Sequence, residues 1–423
     1  MSFREFEYAD GKSFKFWKIE QQGSDVVTRY GRIGSDGQET KKDFGTPEAA
    51  KKAYDKLVAE KTGKGYVEKT GGGVASSEAA PAAKPAKGAK GAAAATAPAA
   101  STPISSMLFA TTRDGNFGHL NNFIGQRVTD YKEGTPPKGK TVFRIRCHCE
   151  EDEETAAQFK ERFHNFLKSD AALETIGLVT GLEEMYPDED KNISVALLAE
   201  HADRLPKLQA LFLGDILQEE QEVSWIKQTD ISPVLAAFPH LEMLRVRGAD
   251  GLAISKPQHA KLRALAIESG GLSPEVVASI CRGKFPELEY LELWLGTPNY
   301  GGECRVNDLQ PILKGKLFPK LKYLGFRNAE IADDIAAVIV KSPVIEQLET
   351  LDLSLGNLSD EGANALLQLK DNTSLKRLDL HHHYIGKPVQ KSLKQLPFPV
   401  DLADAKTVDE NDEWAGRFIS VSE

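Results

Sequence analysis

One leucine pattern recurs seven times between residues 208 and 380 of this 423-residue chain. The pattern LxxLxL, or a close variant, begins at Leu208, Leu241, Leu262, Leu288, Leu321, Leu348 and Leu375, at intervals of 33, 21, 26, 33, 27 and 27 residues. A single strand and helix of this length cannot bury their own apolar faces, so such units must stack on their neighbours. The spacing therefore predicts an α/β fold in which parallel strands stack with helices between them.

The repeats extend beyond these seven copies. Helices are predicted between them by stretches such as "DDIAAVIVKS" and "DEGANALLQLKDN", and an earlier copy, "LETIGL" at Leu173, follows a helical stretch. The stack starts there or sooner, with "VFRIRCHC" at Val142 as a candidate first strand. We assign repeats to residues 205–400, an N-terminal β/α cap region to 104–204 and a C-terminal cap or tail to 401–423.

A stretch of low complexity precedes this region. Residues 71–103 contain 14 alanines with interspersed Pro, Gly and Lys, and they show no apolar face. Such a composition cannot bury a core, and its prolines break helices. We expect a disordered linker about 30 Å long from end to end.

Residues 1–70 form a separate small domain. The stretches "SFKFWKIE" and "DVVTRYGRI" have strand character, "SDG" is a hairpin turn signal, and "QETKKDF" suits the returning strand. A helix follows, with Thr46 suited to the N-cap and Pro47 to the first helical position. The pattern predicts a small α+β module with an antiparallel sheet.

Charge is distributed unevenly along the chain, whose net charge is -9. Residues 1–70 contain 14 Lys and Arg against 12 Asp and Glu, a net +2, and residues 71–103 add another +2. Residues 104–423 therefore carry -13. Because nucleic acids are polyanions, any contact with them is expected at the front of the chain.

Composition also predicts the compartment. The first residues carry charges where a signal peptide needs an apolar run, and no stretch of about 18 apolar residues occurs. The four cysteines, Cys147, Cys149, Cys281 and Cys304, are too few and too unevenly spread for a disulfide scaffold. We expect a soluble cytoplasmic protein with no membrane contact.

Two families are similar to the two parts of the chain. Residues 205–400 resemble a leucine-rich repeat solenoid of the ribonuclease-inhibitor-like class. Residues 1–70 resemble the WGR domain of poly(ADP-ribose) polymerases and of bacterial proteins described as molybdate-regulator-like transcription factors, through "KFWKIE", "YGRIG", "SDG", the helix from Pro47 and "GKGY". Tyr30 stands where the family has its namesake tryptophan. The whole order resembles bacterial proteins that join a WGR domain to leucine-rich repeats.

Alternate residues of the "TRYGR" strand form the first candidate site. Thr28, Tyr30 and Arg32 share one face of a strand. An aromatic ring can stack on a sugar or base while a guanidinium forks onto a phosphate, and Lys41 and Lys42 can add positive charge. The resemblance implies the same role, since WGR domains of the polymerases contact DNA through the tryptophan and arginine that correspond to Tyr30 and Arg32.

A structural interpretation of the same residues stays open. Tyr30 can pack on the helix from Pro47, and Arg32 can pair with an acid such as Asp36 or Glu39. The net charge of only +2 in residues 1–70 is compatible with either interpretation.

The residues beside the repeat leucines form the second candidate site. In LxxLxL the leucines enter the core, while the alternate residues line the concave side of the sheet. Aromatic residues and arginines there have the composition of binding hot spots. We therefore predict a protein-binding concave face made of Phe212, Arg245, Arg247, Tyr290, Glu292, Trp294, Tyr323, Arg327, Asp352, Arg377 and Asp379.

Metal sites and enzymatic chemistry are not expected. "CHC" at Cys147–Cys149 suits a buried strand, and no second pair completes a tetrahedral set. "HHH" at His381–His383 suits a polar turn where the last repeat leaves its strand. The sequence has no P-loop, "GxGxxG" after a strand, "GxSxG" or "HExxH". We predict no cofactor, no metal and no catalytic residues.

The predicted function is that of a non-enzymatic regulatory adaptor. Its front domain contacts DNA or RNA, and its acidic repeat domain binds a protein partner. The alternative is a pure protein-interaction scaffold, in which the front domain also binds protein.

Overall fold

The structure is a computed structural model, and it falls into two compact units, residues 1–96 and 97–423. It describes residues 3–9, 14–32, 38–43, 45–48, 50–52, 54, 58, 61, 67–69, 119–134, 141–147, 155–183, 192–408 and 416–422. For 8–9, 14–15, 30–32 and 38–43 the description covers the backbone alone. The predicted turn "SDG", the "GKGY" stretch and the linker at 71–103 lie outside the described residues.

The first unit is built on a five-stranded antiparallel sheet of order β4-β3-β2-β1-β5. Its strands are β1 (Arg4–Ala9), β2 (Phe14–Gln22), β3 (Asp25–Arg32), β4 (Gln38–Asp43) and β5 (Val67–Glu68). Helical residues lie between 47 and 61. The predicted small antiparallel sheet is confirmed.

The core of this unit lies on one face of the sheet. Phe6 and Trp17 pack with ring centroids 5.4 Å apart, and Ile19, Val26 and Ala50 complete the buried cluster. Burial of each large side chain stabilises the fold by about 1.5–3 kcal/mol. The helix that supplies Ala50 therefore covers the sheet face of Trp17.

The second unit is built on a 12-stranded sheet in which neighbouring strands are consecutive in the chain. All pairs from β7 onward are parallel, and β6 pairs antiparallel with β7. The strands are β6 (Asn122–Phe123), β7 (Gln126–Asp130), β8 (Thr141–Ile145), β9 (Thr175–Thr180), β10 (Ala210–Leu213), β11 (Met243–Arg247), β12 (Ala264–Glu268), β13 (Tyr290–Gly296), β14 (Tyr323–Ala329), β15 (Thr350–Asp352), β16 (Arg377–Asp379) and β17 (Val400–Asp401). The stack thus begins at β7, one strand before the candidate at Val142.

Helices return the chain between these strands. They are α1 (Ala156–Lys168), α2 (Asp170–Glu174), α3 (Ile193–Glu200), α4 (Ser232–Ala237), α5 (Pro274–Cys281), α6 (Val306–Leu313), α7 (Ala332–Ile339), α8 (Asp360–Leu366) and α9 (Lys387–Leu393). Parallel strands need such crossovers. The predicted mixed α/β fold with a large parallel sheet is confirmed at this level.

The repeat leucines occupy the core between sheet and helices. All seven leucines that begin the repeats are buried, and they belong to one apolar cluster with residues of the helices. Short 3-10 turns replace or extend helices in several crossovers, as at Pro343–Glu346. The opposite sheet face carries a second buried cluster that includes Phe123, Phe212, Tyr290 and Tyr323. Both faces of the central strands are therefore covered.

Candidate functional site

The five predicted nucleic-acid-binding residues lie on two adjacent strands. Thr28, Tyr30 and Arg32 belong to β3, and Lys41 and Lys42 belong to β4. Thr28 is half-buried. The side chains of the other four lie outside the described residues, so their role in binding stays a prediction.

Strand register shows which sheet face these positions follow. Tyr30 pairs with Trp17 and Arg32 pairs with Lys15 at the end of the ladder between β2 and β3. Paired residues of an antiparallel ladder share a face, and Trp17 is buried. Positions 28, 30 and 32, which we call the stripe, therefore lie on the sheet face that the helix covers. Arg32 is the last residue of the stripe, at the end of β3.

Register also separates the two lysines. Lys42 pairs with Val26, and Lys41 pairs with Val27. Val26 is two residues from Thr28, so position 42 shares the face of the stripe, whereas position 41 lies on the other face. Of the two lysine positions, position 42 alone is therefore on the sheet face of the stripe.

The predicted concave face does not lie open at the surface of the second unit. Phe212, Arg245, Arg247, Tyr290, Glu292, Trp294, Tyr323, Arg327, Asp352 and Asp379 are buried, and only Arg377 is exposed, with 49% of its side-chain area accessible. The expectation that the whole set is accessible to a partner is therefore corrected. Other segments cover these residues, and the charged side chains among them form ion pairs that compensate for the loss of water.

Glu292 is the centre of a buried polar network. Its carboxylate accepts hydrogen bonds from the Tyr290 hydroxyl, from Trp294 Nε1 at 2.7 Å and from Arg327 Nη1 at 3.0 Å. The Arg327 guanidinium carbon lies 5.3 Å from the centre of the Trp294 ring. A buried carboxylate needs such partners because burial of an unpaired charge is strongly unfavourable. Glu292 therefore serves as a structural acceptor in this arrangement.

Asp352 and Tyr323 continue this network toward β15. The Tyr323 hydroxyl donates to Asp352 Oδ2 at 2.6 Å, and the Tyr323 ring stacks on Tyr290 with centroids 3.9 Å apart. Burial raises the pKa of Asp352. The pKa of Tyr323 is also raised, first by burial and then by the nearby Asp352 carboxylate. Gly325 makes room for this ring, since an added Cβ would meet Tyr323 Cε1 and its hydroxyl at 3.1 Å.

Glu268 forms a second network with two arginines. It accepts from Arg245 Nε at 2.7 Å and from Arg247 Nε at 2.8 Å. Burial alone would raise the pKa of Glu268, but the two guanidinium groups outweigh burial, and the pKa is lowered. Arg245 and Arg247 also stack over the ring of Phe212, at 4.5 and 5.3 Å from its centre.

The histidine run is buried, which corrects the prediction of a polar turn. His381 Nδ1 lies 2.6 Å from Asp379 Oδ1, His382 Nε2 lies 3.3 Å from the Phe418 carbonyl, and His383 Nε2 lies 3.2 Å from the Leu402 carbonyl. Burial would raise the pKa of Asp379, but its bond with His381 prevails, and the pKa is lowered to about 2. Burial lowers the pKa values of His382 and His383.

Cysteine chemistry is not favoured at the described thiols. Cys147, Cys281 and Cys304 are free, and Cys149 lies outside the described residues. Burial raises the pKa of Cys281 to about 11 and that of Cys304 to about 12, so neither is a thiolate at neutral pH. Within the described ranges, no group of three or more His, Cys, Asp or Glu residues is arranged to hold a metal ion.

The segment 416–422, which we call the strap, is the feature that sequence reasoning missed. It crosses the carboxyl ends of the central strands, where Val421 packs with Val223, Trp294 and Leu355 in one buried cluster. This contact explains why Trp294 is buried. The signal was present in the sequence as the short "RFISVSE" stretch after the last repeat, but nothing there indicates where it docks.

Comparison with known proteins identifies the first unit. Residues 3–73 match the WGR domain family, so the chain carries an N-terminal WGR domain. Among curated proteins, Protein YehF of Escherichia coli (strain K12) is 48% identical over 66 residues, which are 16% of this chain and 24% of YehF. The Uncharacterized protein YfeS of the same strain is 42% identical over 65 residues, 15% of this chain and 27% of YfeS. The match spans about a quarter of each relative.

One solved structure is similar along the whole length. The crystal structure of a protein from Bacteroides fragilis has a TM-score of 0.58 and 29% sequence identity, and the similarity covers 100% of this chain and 99% of that one. Among the described residues, no helix has the length and apolarity to cross a membrane.

Proposed function

We propose that this chain is a non-enzymatic regulatory adaptor of the cytoplasm. Its WGR domain contacts nucleic acid through Tyr30 and Arg32, and its second unit binds a protein partner. The observation that carries the proposal is the match of residues 3–73 to the WGR family, a domain of the nucleic-acid-binding type. An aromatic ring and a guanidinium two residues apart on one strand face suit a sugar and its phosphate.

Charge partition supports nucleic-acid contact at the first unit rather than the second. Residues 1–70 carry a net +2, whereas residues 104–423 carry -13. Phosphate contacts dominate the affinity of proteins for nucleic acids, and an acidic surface repels the same phosphates. The second unit is therefore assigned to protein rather than to nucleic acid.

We further assign the second unit to the leucine-rich repeat solenoids of the ribonuclease-inhibitor-like class. Consecutive parallel strands, most of which are followed by a helical return, support this assignment. Repeat proteins of this kind use extended surfaces to bind other proteins. Since most of the predicted concave stripe is buried, the partner must use a different part of the unit.

A pure protein scaffold is the rival function, and the small net charge of residues 1–70 favours it. Fluorescence anisotropy of a labelled, 5'-phosphorylated DNA duplex, titrated with the full chain at low and at moderate salt, distinguishes the two. We expect binding whose log affinity falls with log salt by about 0.9 per phosphate contact.

The scaffold alternative predicts no anisotropy change at either salt concentration with duplex, single-stranded DNA or RNA. A folded protein that leaves all three probes free would falsify the nucleic-acid part of the proposal. Circular dichroism on the same sample confirms that the protein is folded.

A further inference from the structure

The strap lies across the carboxyl ends of the strands from β16 back toward β12. Its hydrogen-bond partners come from the ends of successive strands, from the residues that follow them and from the 3-10 turn Val223–Trp225: Tyr384, His382, Leu355, Asn328 and Ser224. The strap is thus held by positions at the carboxyl ends of several successive strands.

The groove under the strap binds main-chain groups of an extended segment. The Phe418 N–H donates to the Tyr384 hydroxyl at 3.0 Å, and the Ser420 N–H donates to the Leu355 carbonyl at 2.8 Å. The Ser422 carbonyl accepts from Ser224 Oγ at 2.6 Å. These contacts do not depend on the side chains of the bound segment.

Asn328 binds both main-chain groups of Val421. The Val421 N–H donates to Asn328 Oδ1 at 3.0 Å, while Asn328 Nδ2 donates to the Val421 carbonyl. A carboxamide presents one acceptor and one donor side by side, which matches the two groups of an extended residue. Asn328 thereby sets the position of the bound segment along the groove.

Two side chains of the strap are recognised individually. Arg417 Nη1 lies 2.6 Å from Asp333 Oδ2 and donates to the Asn357 carbonyl at 3.0 Å. Four residues later, Val421 is buried among Val223, Trp294 and Leu355. Phe418, by contrast, is 60% exposed. The groove therefore selects a basic residue followed at the fourth position by a small aliphatic one.

The groove is built by equivalent positions of successive repeats. Asn328, Leu355 and His382 are 27 residues apart and have φ values of 49°, 65° and 58°. Each contacts the strap. Left-handed backbone at residues other than glycine is unfavourable and persists where the surroundings enforce it, often at binding sites. The repeats thus share a strained geometry at the point where the segment binds.

The strap passes close to the backbone of Gly270, where a side chain would not fit. A Cβ at this position would overlap the Ser224 hydroxyl and the Ser422 carbonyl. A cavity of about 260 Å³ adjoins this point, and Ser224, Trp225, Ser269 and Tyr300 are among its lining residues. The groove therefore continues beside Ser422 into this cavity, which Trp225 and Tyr300 line.

Little of the strap is buried. Of its seven residues, Val421 alone is buried, while Arg417 and Phe418 are exposed and the other four are half-buried. Elements with few buried apolar contacts open at low free energy. The groove residues Asn328, Leu355 and Trp294 are buried, whereas most of the strap is not. This difference suits replacement of the strap by another segment.

We propose that this groove is a peptide-binding site, occupied in cis by the strap and able to bind in trans an extended segment of a partner protein. The partner segment carries Arg followed at the fourth position by Val or a similar aliphatic residue. The proposal rests on the adaptor role given above, because it specifies how the second unit binds its partner. The partner displaces the strap and takes over its main-chain bonds.

The test measures binding of a labelled peptide, GRFISVSE, to the full chain and to its Val421→Asp variant. A charge at position 421 is incompatible with the apolar site, so the strap of the variant should leave the groove. A tethered segment competes at an effective concentration on the order of millimolar. We therefore expect the variant to bind the peptide at least about tenfold more tightly than the intact chain.

Matched peptides and a groove variant identify the site. A peptide with Phe418→Ala should bind like the parent peptide because Phe418 is exposed, whereas Arg417→Glu or Val421→Asp in the peptide should abolish binding. Asn328→Asp, added to the Val421→Asp chain, removes the donor to the Val421 carbonyl and should weaken binding about tenfold.

If Val421→Asp lowers the folding yield, the Arg417→Glu chain replaces it in the peptide-binding comparison. Arg417 is exposed, and the substitution replaces its attraction to Asp333 with repulsion. The proposal is overturned if folded strap variants bind the peptide no better than the intact chain, or if the Val421→Asp peptide binds as well as the parent. No nucleic acid is present in these assays. Their failure therefore leaves the duplex-binding result unaffected, and the reverse also holds.

Discussion

Glu268 illustrates how single residues determine what the sheet face can do. Its carboxylate is shared by two guanidinium groups from the neighbouring strand, and all three side chains are buried. Burying one of these charges without its partners is unfavourable by several kcal/mol. The predicted binding residues Arg245 and Arg247 therefore stabilise the fold through Glu268, and they are not available to a partner.

The Glu268→Gln substitution tests this role through pH. Because the pKa of Glu268 is lowered in the folded state, its carboxylate stabilises the fold above the unfolded-chain value of about 4.3 and loses this effect as pH falls through the lower folded value. We expect Glu268→Gln to decrease the free energy of unfolding by about 3–5 kcal/mol at pH 7. The difference from the parent protein should shrink below pH 4, measured by urea denaturation.

The control is Glu287→Gln. Glu287 pairs with Lys320 at 2.7 Å on the surface, where ion pairs contribute about 0–1 kcal/mol. A Glu268→Gln effect as small as that of Glu287→Gln, or one that does not depend on pH, contradicts the assigned role.

At the scale of elements, β13 shows why a strand pattern alone was misleading. Leu291, Leu293 and Leu295 face the helices, as the repeat predicts, and Trp294 lies on the other face. All seven residues of β13 are nevertheless buried. Around Trp294 the second face is covered by the strap and by the 3-10 turn Val223–Trp225, which a local pattern does not reveal.

Trp294→Ala is predicted to destabilise the second unit. The substitution empties a buried site in contact with Val421 and removes a donor to Glu292, so we expect a loss of about 3–5 kcal/mol. The sequence alone placed Trp294 on a protein-binding surface. Trp225→Ala is the matched control, because Trp225 is 58% exposed, and thermal melting compares the two. Equal melting temperatures for both variants are incompatible with the buried position of Trp294.

For the whole molecule, the sequence predicted the architecture better than the sites. The leucine spacing determines which residues face the helices, so the order and direction of the strands followed from it. The strands of the WGR domain were likewise readable from "KFWKIE" and "TRYGR". These features depend on residues close together in the chain.

The covered sheet face could not be predicted in the same way. Burial of Trp294 depends on Val421, 127 residues later, and pairing of Glu268 with two arginines depends on strand register. A prediction from side-chain type alone treats Arg, Tyr and Trp on an outer face as a binding surface. The proposed peptide groove lies instead at the carboxyl ends of the strands, where Asn328 contacts the strap.

The central claim is that the WGR domain binds nucleic acid through the stripe that ends at Arg32. The most direct measurement is the salt dependence of duplex binding for the parent chain, Arg32→Ala and Arg29→Ala. Arg29 lies on the same strand with the same charge but on the opposite face, since side chains alternate.

Arg32→Ala should weaken duplex binding and flatten the slope of log affinity against log salt by about one unit, while Arg29→Ala should leave the slope unchanged. Thermal melting confirms that both variants are folded. Equal slopes for the parent chain and Arg32→Ala, or equal losses for the two variants, contradict the account.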